Sequence, residues 1–238
     1  MNNISKETEG IRINKYLSNV GVCSRREADR LIEARKITVD GVIADMGVKV
    51  TEENEICING KPIKKDKQIT LIAFNKPRGV VCTTFRHDPD NIIDYLKFEK
   101  RIYPIGRLDK DSEGLILLTN QGEIVDKILR GSNMHEKEYI VKVNKKITKK
   151  FIEGMSEGVP ILDTVTRPCV VEPINDYSFR IILTQGLNRQ IRRMCEYFDY
   201  RVTNLKRVRI MNIQLGKLNT GTYRNVTPRE LEELKRLL

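Results

Sequence analysis

The chain has 238 residues, of which 39% are hydrophobic and 32% are charged, so it can bury a core and does not have a disordered composition. A formal net charge of +11 at pH 7 favours a polyanionic partner, most simply a nucleic acid, although an unpartnered basic surface would produce the same total. The five cysteines are odd in number and form no CxxC motif, which argues against a disulfide framework or a zinc site. Neither a signal peptide nor an apolar run of membrane-spanning length is apparent, and we expect a soluble cytoplasmic protein with no membrane partner.

The first part of the chain predicts two helices after a polar tail at residues 1–9. From Ile11 onward, apolar residues recur at helical spacing in a polar setting. A second helix begins at Ser24, because Glu27 follows three residues later and the two have the spacing of a capping box. The polar side of this second helix carries four arginines, namely Arg25, Arg26, Arg30 and Arg35.

Two glycine turns follow the helices. Asp40-Gly41 and Asn59-Gly60 are each flanked by short apolar runs, which is typical of tight turns between β-strands. The basic, proline-containing stretch at residues 61–67 predicts a linker. We therefore expect a small first domain at residues 10–66 and a second domain at residues 67–238.

The second domain is predicted to be richer in strands than in helices. The two do not alternate regularly, which favours an α+β fold with a largely antiparallel mixed sheet and flanking helices over a doubly wound parallel one. Strands are predicted at 69–74, 80–84, 102–105, 115–119, 139–143, 169–172, 179–184 and 208–215. Helices are predicted at 123–129, 149–155 and 188–198, with a last one starting at Thr227.

Two charged segments of this domain could carry chemistry, besides a proline and glycine turn at residues 75–79 that is predicted to join two strands. In residues 106–120 a polar loop precedes a buried strand, and Asp109 lies between Arg107 and Lys110. Cations beside a carboxylate favour its ionised form, which is the form that acts as a nucleophile. A charged surface loop without a role is the alternative.

Two further carboxylates, Asp111 and Glu113, lie in the same loop. A pair of carboxylates could serve as general acid and general base. We instead expect these two to hold Arg107 and Lys110 as polar groups of the loop.

The other charged segment begins a helix with three arginines, Arg189, Arg192 and Arg193. Cations in the first turns of a helix oppose the helix dipole. They therefore require a counter-charge, either a phosphate or a carboxylate.

These segments together resemble a known family. Residues 106–120, with Gly-Arg-Leu-Asp and then Gly-Leu-Ile-Leu-Leu-Thr-Asn, closely resemble the catalytic motif of the RsuA-like pseudouridine synthases. Residues 75–79 and 186–194 resemble the other two motifs of that family, in the same order. Residues 11–58 resemble an S4 RNA-binding domain, the usual N-terminal partner. Residues 135–139 and the third motif are most similar to the ribosomal large-subunit pseudouridine synthase F subgroup.

The resemblance implies an enzyme that needs no cofactor or metal ion and converts a specific uridine of structured RNA into pseudouridine. Asp109 would be the nucleophile, attacking either C6 of the uracil or C1′ of the ribose. Arg107 would fill the gap that the extruded uridine leaves. Tyr139 would pack on the uracil ring, although a buried strand tyrosine without a role has the same sequence pattern.

The resemblance also implies residues that position the substrate. Arg192 would pair with the catalytic carboxylate, and Leu183 would line the base pocket. Arg189 and Arg193 could contact phosphates, and the four arginines of the second helix would lie against the RNA backbone and contribute affinity.

The expected partner is RNA, most simply a uridine near the peptidyl-transferase region of 23S (large-subunit) rRNA, with a tRNA anticodon uridine, or both RNAs, as the alternative. We expect a monomer. Two other functional classes remain open. One is an RNA-binding ribosome assembly factor that does not catalyse, and the other is a hydrolase that cleaves an N-glycosidic bond.

Overall fold

The structure, a computed structural model, describes residues 10–64, 68–85, 87–130 and 134–238. Its described residues form two compact units. One contains residues up to Ile69 together with Asn120–Glu123, and the other contains Thr70–Thr119 and Ile124–Leu238. The predicted tail at 1–9 and the predicted boundary between residues 66 and 67 lie outside the described residues, so the division at that point stays a prediction.

The first unit has two helices and two small sheets. One sheet pairs β1 with β4, and the other has the order β3-β2-β5-β6. The side chains of Leu17, Ala28 and Ile37 are fully buried between these elements. In chain order, the elements are β1 (Ile11–Arg12), α1 (Ile13–Asn19), α2 (Arg25–Glu33), β2 (Ile37–Val39), β3 (Val42–Ile43), β4 (Lys49–Val50), β5 (Ile56–Ile58) and β6 (Lys61–Pro62).

Local sequence signals account for these elements. Helix α2 begins where predicted, because the Ser24 hydroxyl accepts a hydrogen bond of 3.1 Å from the backbone N–H of Glu27. Both predicted glycine turns are confirmed, with positive φ at Asp40-Gly41 and at Asn59-Gly60. The predicted linker is wrong at its start, because Lys61–Pro62 pairs with β5. The linker residues 65–67 lie outside the described part of the chain.

The remaining elements centre on one large sheet. Within the described residues it has nine strands in the order β13-β14-β10-β15-β9-β7-β17, with β16 on β15 and β8 on β9. The elements are β7 (Leu71–Lys76), α3 (Ile92–Leu96), β8 (Tyr103–Pro104), β9 (Glu113–Thr119), α4 (Gly122–Leu129), β10 (Lys137–Val143), α5 (Lys149–Glu157), β11 (Pro160–Ile161), β12 (Thr164–Val165), β13 (Val170–Asn175), β14 (Ser178–Leu183), α6 (Gln190–Tyr197), β15 (Val202–Ile210), β16 (Ile213–Gln214), β17 (Tyr223–Asn225) and α7 (Pro228–Leu237).

The pairing of these strands is antiparallel except between β9 and β15, which run parallel. The prediction of an α+β fold with a largely antiparallel mixed sheet is therefore confirmed. Each face of the sheet is covered by apolar side chains, because successive strand residues point to opposite faces. Phe74 and Ile116 belong to the cluster that includes residues of α5 and α6. Ala73 and Leu117 belong to the cluster that includes residues of α4 and α7.

Two predicted strands differ in the structure. Of the residues predicted to form a strand at 80–84, only Val81 pairs, in an isolated bridge with Asn91. Residues 75–79 therefore do not join two strands. The carbonyl oxygen of Val80 instead accepts a hydrogen bond of 2.7 Å from Lys76 Nζ. The predicted strand 208–215 is divided into the end of β15 and β16, because Met211 adopts a left-handed conformation with φ of 51° between them.

Candidate active site

The loop that carries Asp109 is closed by backbone hydrogen bonds. The N–H of Ser112 donates to the carbonyl oxygen of Asp109 at 3.0 Å, and the N–H of Gly79 donates to that of Lys110 at 2.7 Å. Leu108 is buried, and its N–H donates to Cys82 Sγ at 3.4 Å. These contacts hold the Asp109 side chain at the start of β9, as a pre-formed site requires.

Gly114 determines how closely β9 approaches β15. It pairs with Arg207 in the parallel ladder and has a φ of +102°. A Cβ atom at this position would lie 2.3 Å from the carbonyl oxygen of Arg207. Only glycine satisfies both conditions, because other residues are strained at that φ and would overlap the neighbouring backbone. The close approach places the Asp109 loop beside β15.

Two arginines of the third motif face two aspartates of this loop. Arg189 Nη1 lies 3.5 Å from Asp109 Oδ2 and 3.4 Å from Asp111 Oδ1. Arg192 Nε lies 3.8 Å from Asp109 Oδ2, and its Nη2 lies 3.1 Å from Asp111 Oδ2. The counter-charge expected at the start of α6 is therefore a pair of carboxylates in the described structure. The two carboxylates compensate for the unfavourable interaction between the arginines and the helix dipole.

The partners expected for the other charged residues of the loop are wrong. Asp111 pairs with Arg189 and Arg192 rather than with Arg107 or Lys110. Lys110 pairs with Asp90 at 2.6 Å, and this hydrogen bond raises the pKa of Lys110. Glu113 accepts a hydrogen bond of 3.1 Å from Asn204. Sequence neighbours point away from each other here, because the chain turns tightly between residues 109 and 112.

A cleft of about 670 Å³ opens above the sheet beside Asp109. This volume lies within the usual range of small-molecule binding sites. The cleft brings together six of the residues predicted to act on the substrate: Arg107, Asp109, Tyr139, Leu183, Arg189 and Arg192. Arg193 is not among its lining residues, and its Nε donates to the carbonyl oxygen of Asn188 at 3.2 Å.

The lining residues differ in exposure in a way that suits their chemistry. Tyr139 and Leu183 are buried strand residues that form apolar walls, at 9% and 3% exposure. The side chain of Asp109 is 35% exposed and that of Arg192 is 9% exposed. Arg107 is exposed. The cleft therefore combines an accessible carboxylate with a buried guanidinium partner and an apolar wall.

The sequence did not predict that Lys76, a cation near the cleft, is buried. Lys76 is fully buried and donates to the carbonyl oxygens of Pro77 and Val80 at 2.8 and 2.7 Å. Burial lowers the pKa of Lys76, while the charges of Cys82, Asp111 and Asp109 act in the opposite direction. Burial also raises the pKa of the Cys82 thiol. Lys76 lies within the first motif, but nothing in its local pattern indicates burial.

The arginines predicted to contact the RNA backbone lie in the first unit. All four are exposed; three belong to α2 and Arg35 follows its end. Arg30 is 3.5 Å from Glu27, an exposed pair that contributes little to stability. The four side chains are thus accessible to a polyanion. They are Arg25, Arg26, Arg30 and Arg35.

Among the described residues, no group of three His, Cys, Asp or Glu side chains is placed to hold a metal ion. No helix in the described part of the chain is both long and apolar enough to cross a membrane.

Comparison with known proteins agrees with this geometry. Residues 70–197, which contain the Asp109 loop, Tyr139 and Arg192, match the model of the family described as RNA pseudouridylate synthase. The chain belongs to the RNA pseudouridylate synthase family. Residues 11–56 of this synthase match the S4 domain. The predicted combination of an S4 domain with an RsuA-like catalytic domain is thereby confirmed.

Individual relatives extend over nearly all of this synthase. The dual-specificity RNA pseudouridine synthase RluF of Salmonella typhi is 53% identical over 229 residues, which are 95% of this chain and 79% of that protein. The ribosomal large subunit pseudouridine synthase B of Bacillus subtilis is 33% identical over 235 residues, 95% of this chain and 96% of that protein. A crystal structure of a pseudouridylate synthase superposes with a TM-score of 0.69 at 26% identity, covering 96% of this chain and all of that one. This synthase is therefore an isomerase that acts on uridine in RNA.

Proposed function

We propose that this synthase isomerises a specific uridine of structured 23S (large-subunit) rRNA, near the peptidyl-transferase region, with Asp109 as the nucleophile. The observation that carries the proposal is the position of Asp109. Its carboxylate opens onto the cleft and lies 3.5 Å from Arg189 and 3.8 Å from Arg192. Two guanidinium groups at these distances form ion pairs that hold the carboxylate at the cleft, where it can act as a nucleophile.

The neighbouring carboxylate of Asp111 is a poorer candidate. Asp111 does not line the cleft, and it forms the shorter contact with Arg192, at 3.1 Å. A carboxylate that is held by both arginines outside the cleft lining serves to orient them. Asp109 forms the longer contacts with the two arginines and lines the cleft, so a substrate can reach it.

The reaction assigns a task to each part of the cleft. Asp109 attacks C6 of the uracil or C1′ of the ribose, and the C1′–N1 bond breaks. The base rotates, C5 bonds to C1′, the bond between Asp109 and the substrate breaks, the proton on C5 is lost and N1 gains one. No atom and no electron is lost overall, so the other residues of the cleft must bind and orient the uridine and exclude water. The apolar walls of Tyr139 and Leu183 suit a planar base, with the Tyr139 ring against the uracil.

The exposed cations serve the RNA around the target. Extruding a uridine from its stack costs a few kcal/mol. The exposed Arg107 at the cleft can occupy the vacated position. In this proposal Arg189 and Arg193 contact phosphates, and the arginines of α2 supply affinity without sequence discrimination. The active unit in this proposal is a monomer.

A tRNA uridine is the second candidate substrate. The observation that favours it is the description of the Salmonella typhi relative, at 53% identity, as a dual-specificity enzyme. The Bacillus subtilis relative, described as a large-subunit enzyme at 33% identity, supports the rRNA target. Both substrates are compatible with one cleft, since recognition of an extruded base depends on the RNA shape around it.

The test is pseudouridine mapping of total rRNA and tRNA from cells that lack the protein, complemented with wild type, Asp109→Ala or Asp176→Ala. Asp176 is an exposed aspartate in the turn between β13 and β14 and serves as the matched control. We expect one rRNA site, with or without a tRNA site, to disappear and to return with wild type and the control only.

Two other outcomes would replace the proposal. Restoration of the site by Asp109→Ala would remove Asp109 from the chemistry. If no site changes while Asp109→Ala supports growth as well as wild type, the protein acts as an RNA-binding assembly factor. Release of free uracil from RNA would instead indicate a hydrolase.

A further inference from the structure

Two cations line the cleft and form no ion pair with a carboxylate among the described residues, namely Arg207 and Lys137. Arg207 on β15 lies directly opposite Tyr139 on β10, and its guanidinium carbon is 6.0 Å from the centroid of the Tyr139 ring. Lys137 is two residues before Tyr139 on the same strand and therefore points to the same face. All three side chains line the cleft.

Arg207 is buried in an unusual way. It is 3% exposed, and its Nε donates to the carbonyl oxygen of Leu115 at 2.7 Å. Among the described residues, its Nη2 has no hydrogen-bond partner and the guanidinium forms no ion pair. A buried charge normally requires an opposite charge, because its transfer out of water is unfavourable by several kcal/mol. An unpaired guanidinium at the floor of an active site indicates that its counter-charge arrives with the substrate.

Lys137 adds a second positive charge at the same place. Its Nζ donates to the neutral carbonyl oxygen of His135 at 3.3 Å. Burial lowers the pKa of Lys137, and the nearby charge of Arg207 lowers it further. Two cations that line one cleft and have no ion pair among the described residues repel each other and favour an anion between them.

We propose that Arg207, assisted by Lys137, stabilises the negative charge that develops on the uracil during the reaction. This inference rests on the proposed function. If Asp109 attacks C1′, the electron pair of the C1′–N1 bond stays on the base as a uracil anion. If Asp109 attacks C6, the C5–C6 electron pair moves through the ring to O4 as an enolate. Either way the base carries the charge until C5 bonds to C1′ and loses its proton.

A buried guanidinium that is held in place is effective in stabilising the negative charge that develops on the base. It is already oriented when the charge forms, and the low local dielectric strengthens its effect. A backbone phosphate is a poorer ligand, because Arg207 lies under the Tyr139 ring at 3% exposure. The exposed Arg189 is better placed for a phosphate.

The test compares two versions of one stem–loop RNA that carries the mapped target, with uridine or with 5-fluorouridine at that position. Fluorine makes the uracil anion more stable, so a 5-fluorouridine substrate depends less on the protein for this stabilisation. The variants are Arg207→Gln, Arg207→Lys and Lys137→Gln. Lys206→Gln is the matched control, because it removes a charge from the adjacent position of β15, whose side chain points to the opposite face of the sheet. Single-turnover rates of C1′–N1 bond cleavage, a step that both substrates share, are measured for each variant, together with RNA dissociation constants and melting temperatures.

We expect Arg207→Gln to lower the rate on uridine by roughly 100-fold to 1,000-fold, as for loss of one anion-stabilising donor. The deficit should shrink by about 10-fold or more on 5-fluorouridine, while the dissociation constant stays within about 3-fold of wild type. Arg207→Lys should recover part of the rate. Lys137→Gln should lower the rate on uridine by a smaller factor, and this loss should also shrink on 5-fluorouridine. Lys206→Gln should have the same rates as wild type.

The proposal is wrong if the folded variants lose the same factor on both substrates, if their rates are normal, or if they lose RNA affinity alone. Should Arg207→Gln not fold, Arg207→Lys and Lys137→Gln decide by the same comparison. An active Asp109→Asn, or a wild type that forms no pseudouridine, would overturn the proposed function instead. Wild-type pseudouridine formation that depends on Asp109 but not on the two cations would overturn this inference only.

Discussion

The Nε atom of Arg192 lies 3.8 Å from Oδ2 of Asp109, while Nη2 of the same guanidinium lies 3.1 Å from Oδ2 of Asp111. Nη2 also donates to Ser112 Oγ at 3.1 Å. Arg192 thus connects the start of α6 to three residues of the Asp109 loop. Its longer contact is with Asp109, the carboxylate that faces the cleft, so Asp109 can shift toward a substrate while Arg192 remains held by Asp111.

Arg192→Gln is expected to lower turnover by about 100-fold or more, because Asp109 loses a buried guanidinium partner and the loop loses its anchor. RNA affinity should change by less than about 3-fold, since the side chain is only 9% exposed. Single-turnover kinetics and equilibrium RNA binding measure the two effects. Glu196→Gln on the exposed side of α6 is the control. A variant that lost affinity but kept its turnover would identify Arg192 as a phosphate ligand.

Tyr139→Phe is expected to slow catalysis by about 10-fold to 100-fold and to leave RNA binding intact, because the ring that faces the base is preserved and only the hydroxyl is lost. The side chain is 9% exposed at the cleft, so the substitution changes little surface. Rates at saturating RNA and the dissociation constant separate the two effects. Unchanged turnover would mean that the hydroxyl is idle and only the ring matters.

RNA binding is expected to weaken steeply as salt rises, because contacts with phosphates release counterions. Replacing Arg25 and Arg26 together by Gln should reduce the slope of log affinity against log salt by about 1.4 to 1.8, at about 0.7 to 0.9 per phosphate. Lys149→Gln is the control, since its side chain is 90% exposed on α5 of the other unit. An affinity that stayed flat between low and physiological salt would contradict the assignment of an RNA-binding surface to α2.

Gly114→Ala is expected to destabilise the protein by about 3 kcal/mol or more, because φ is +102° and the added Cβ would lie 2.3 Å from the carbonyl oxygen of Arg207. Gly216→Ala separates the two causes. Gly216 has a φ of +56° with nothing within 4 Å, so it should lose only about 1 kcal/mol. Urea unfolding of both variants provides the comparison. Equal losses would show that β9 and β15 can separate without penalty.

Glu230 is expected to make stability depend on pH at the start of α7. Both oxygens of Glu230 accept hydrogen bonds of 2.8 Å from Arg224, which lower the pKa of Glu230 to about 2, and Thr227 contributes to the shift. Because the pKa is lower in the folded than in the unfolded protein, the stabilisation is present above pH 4.5 and is lost as the pH falls toward 2. At pH 7, Glu230→Gln should unfold about 1 to 2 kcal/mol more easily, after allowance for solvent screening.

The free-energy difference between wild type and Glu230→Gln should shrink as the pH is lowered, as measured by urea unfolding at pH 7, 4 and 3. Glu233→Gln on the exposed side of α7 is the control and should show no such trend. A difference that stayed constant down to pH 3 would mean that the ion pair does not contribute to folding.

Local chemistry in the sequence was sufficient to predict several elements. Ser24 and Thr227 cap helices where their spacing with Glu27 and Glu230 indicates, and Pro228 occupies the first position of α7. These features depend on residues within one turn of chain, so their physics is visible in a short window. The three motifs likewise predicted the family, and the cleft brings together Arg107, Asp109, Tyr139, Leu183, Arg189 and Arg192.

The partners of these residues could not be read from the sequence, because they depend on which strands become neighbours. Arg207 reaches the cleft floor only because β15 lies between β10 and β9, and Gly114 permits that contact. Asp111 was expected to bind its neighbours in sequence, yet it binds Arg192 of a distant helix. The sequence by itself determined the caps, the turns and the chemical groups of the site. The tertiary structure alone decided which charges are buried and paired, because burial and pairing arise from packing between segments far apart in the chain.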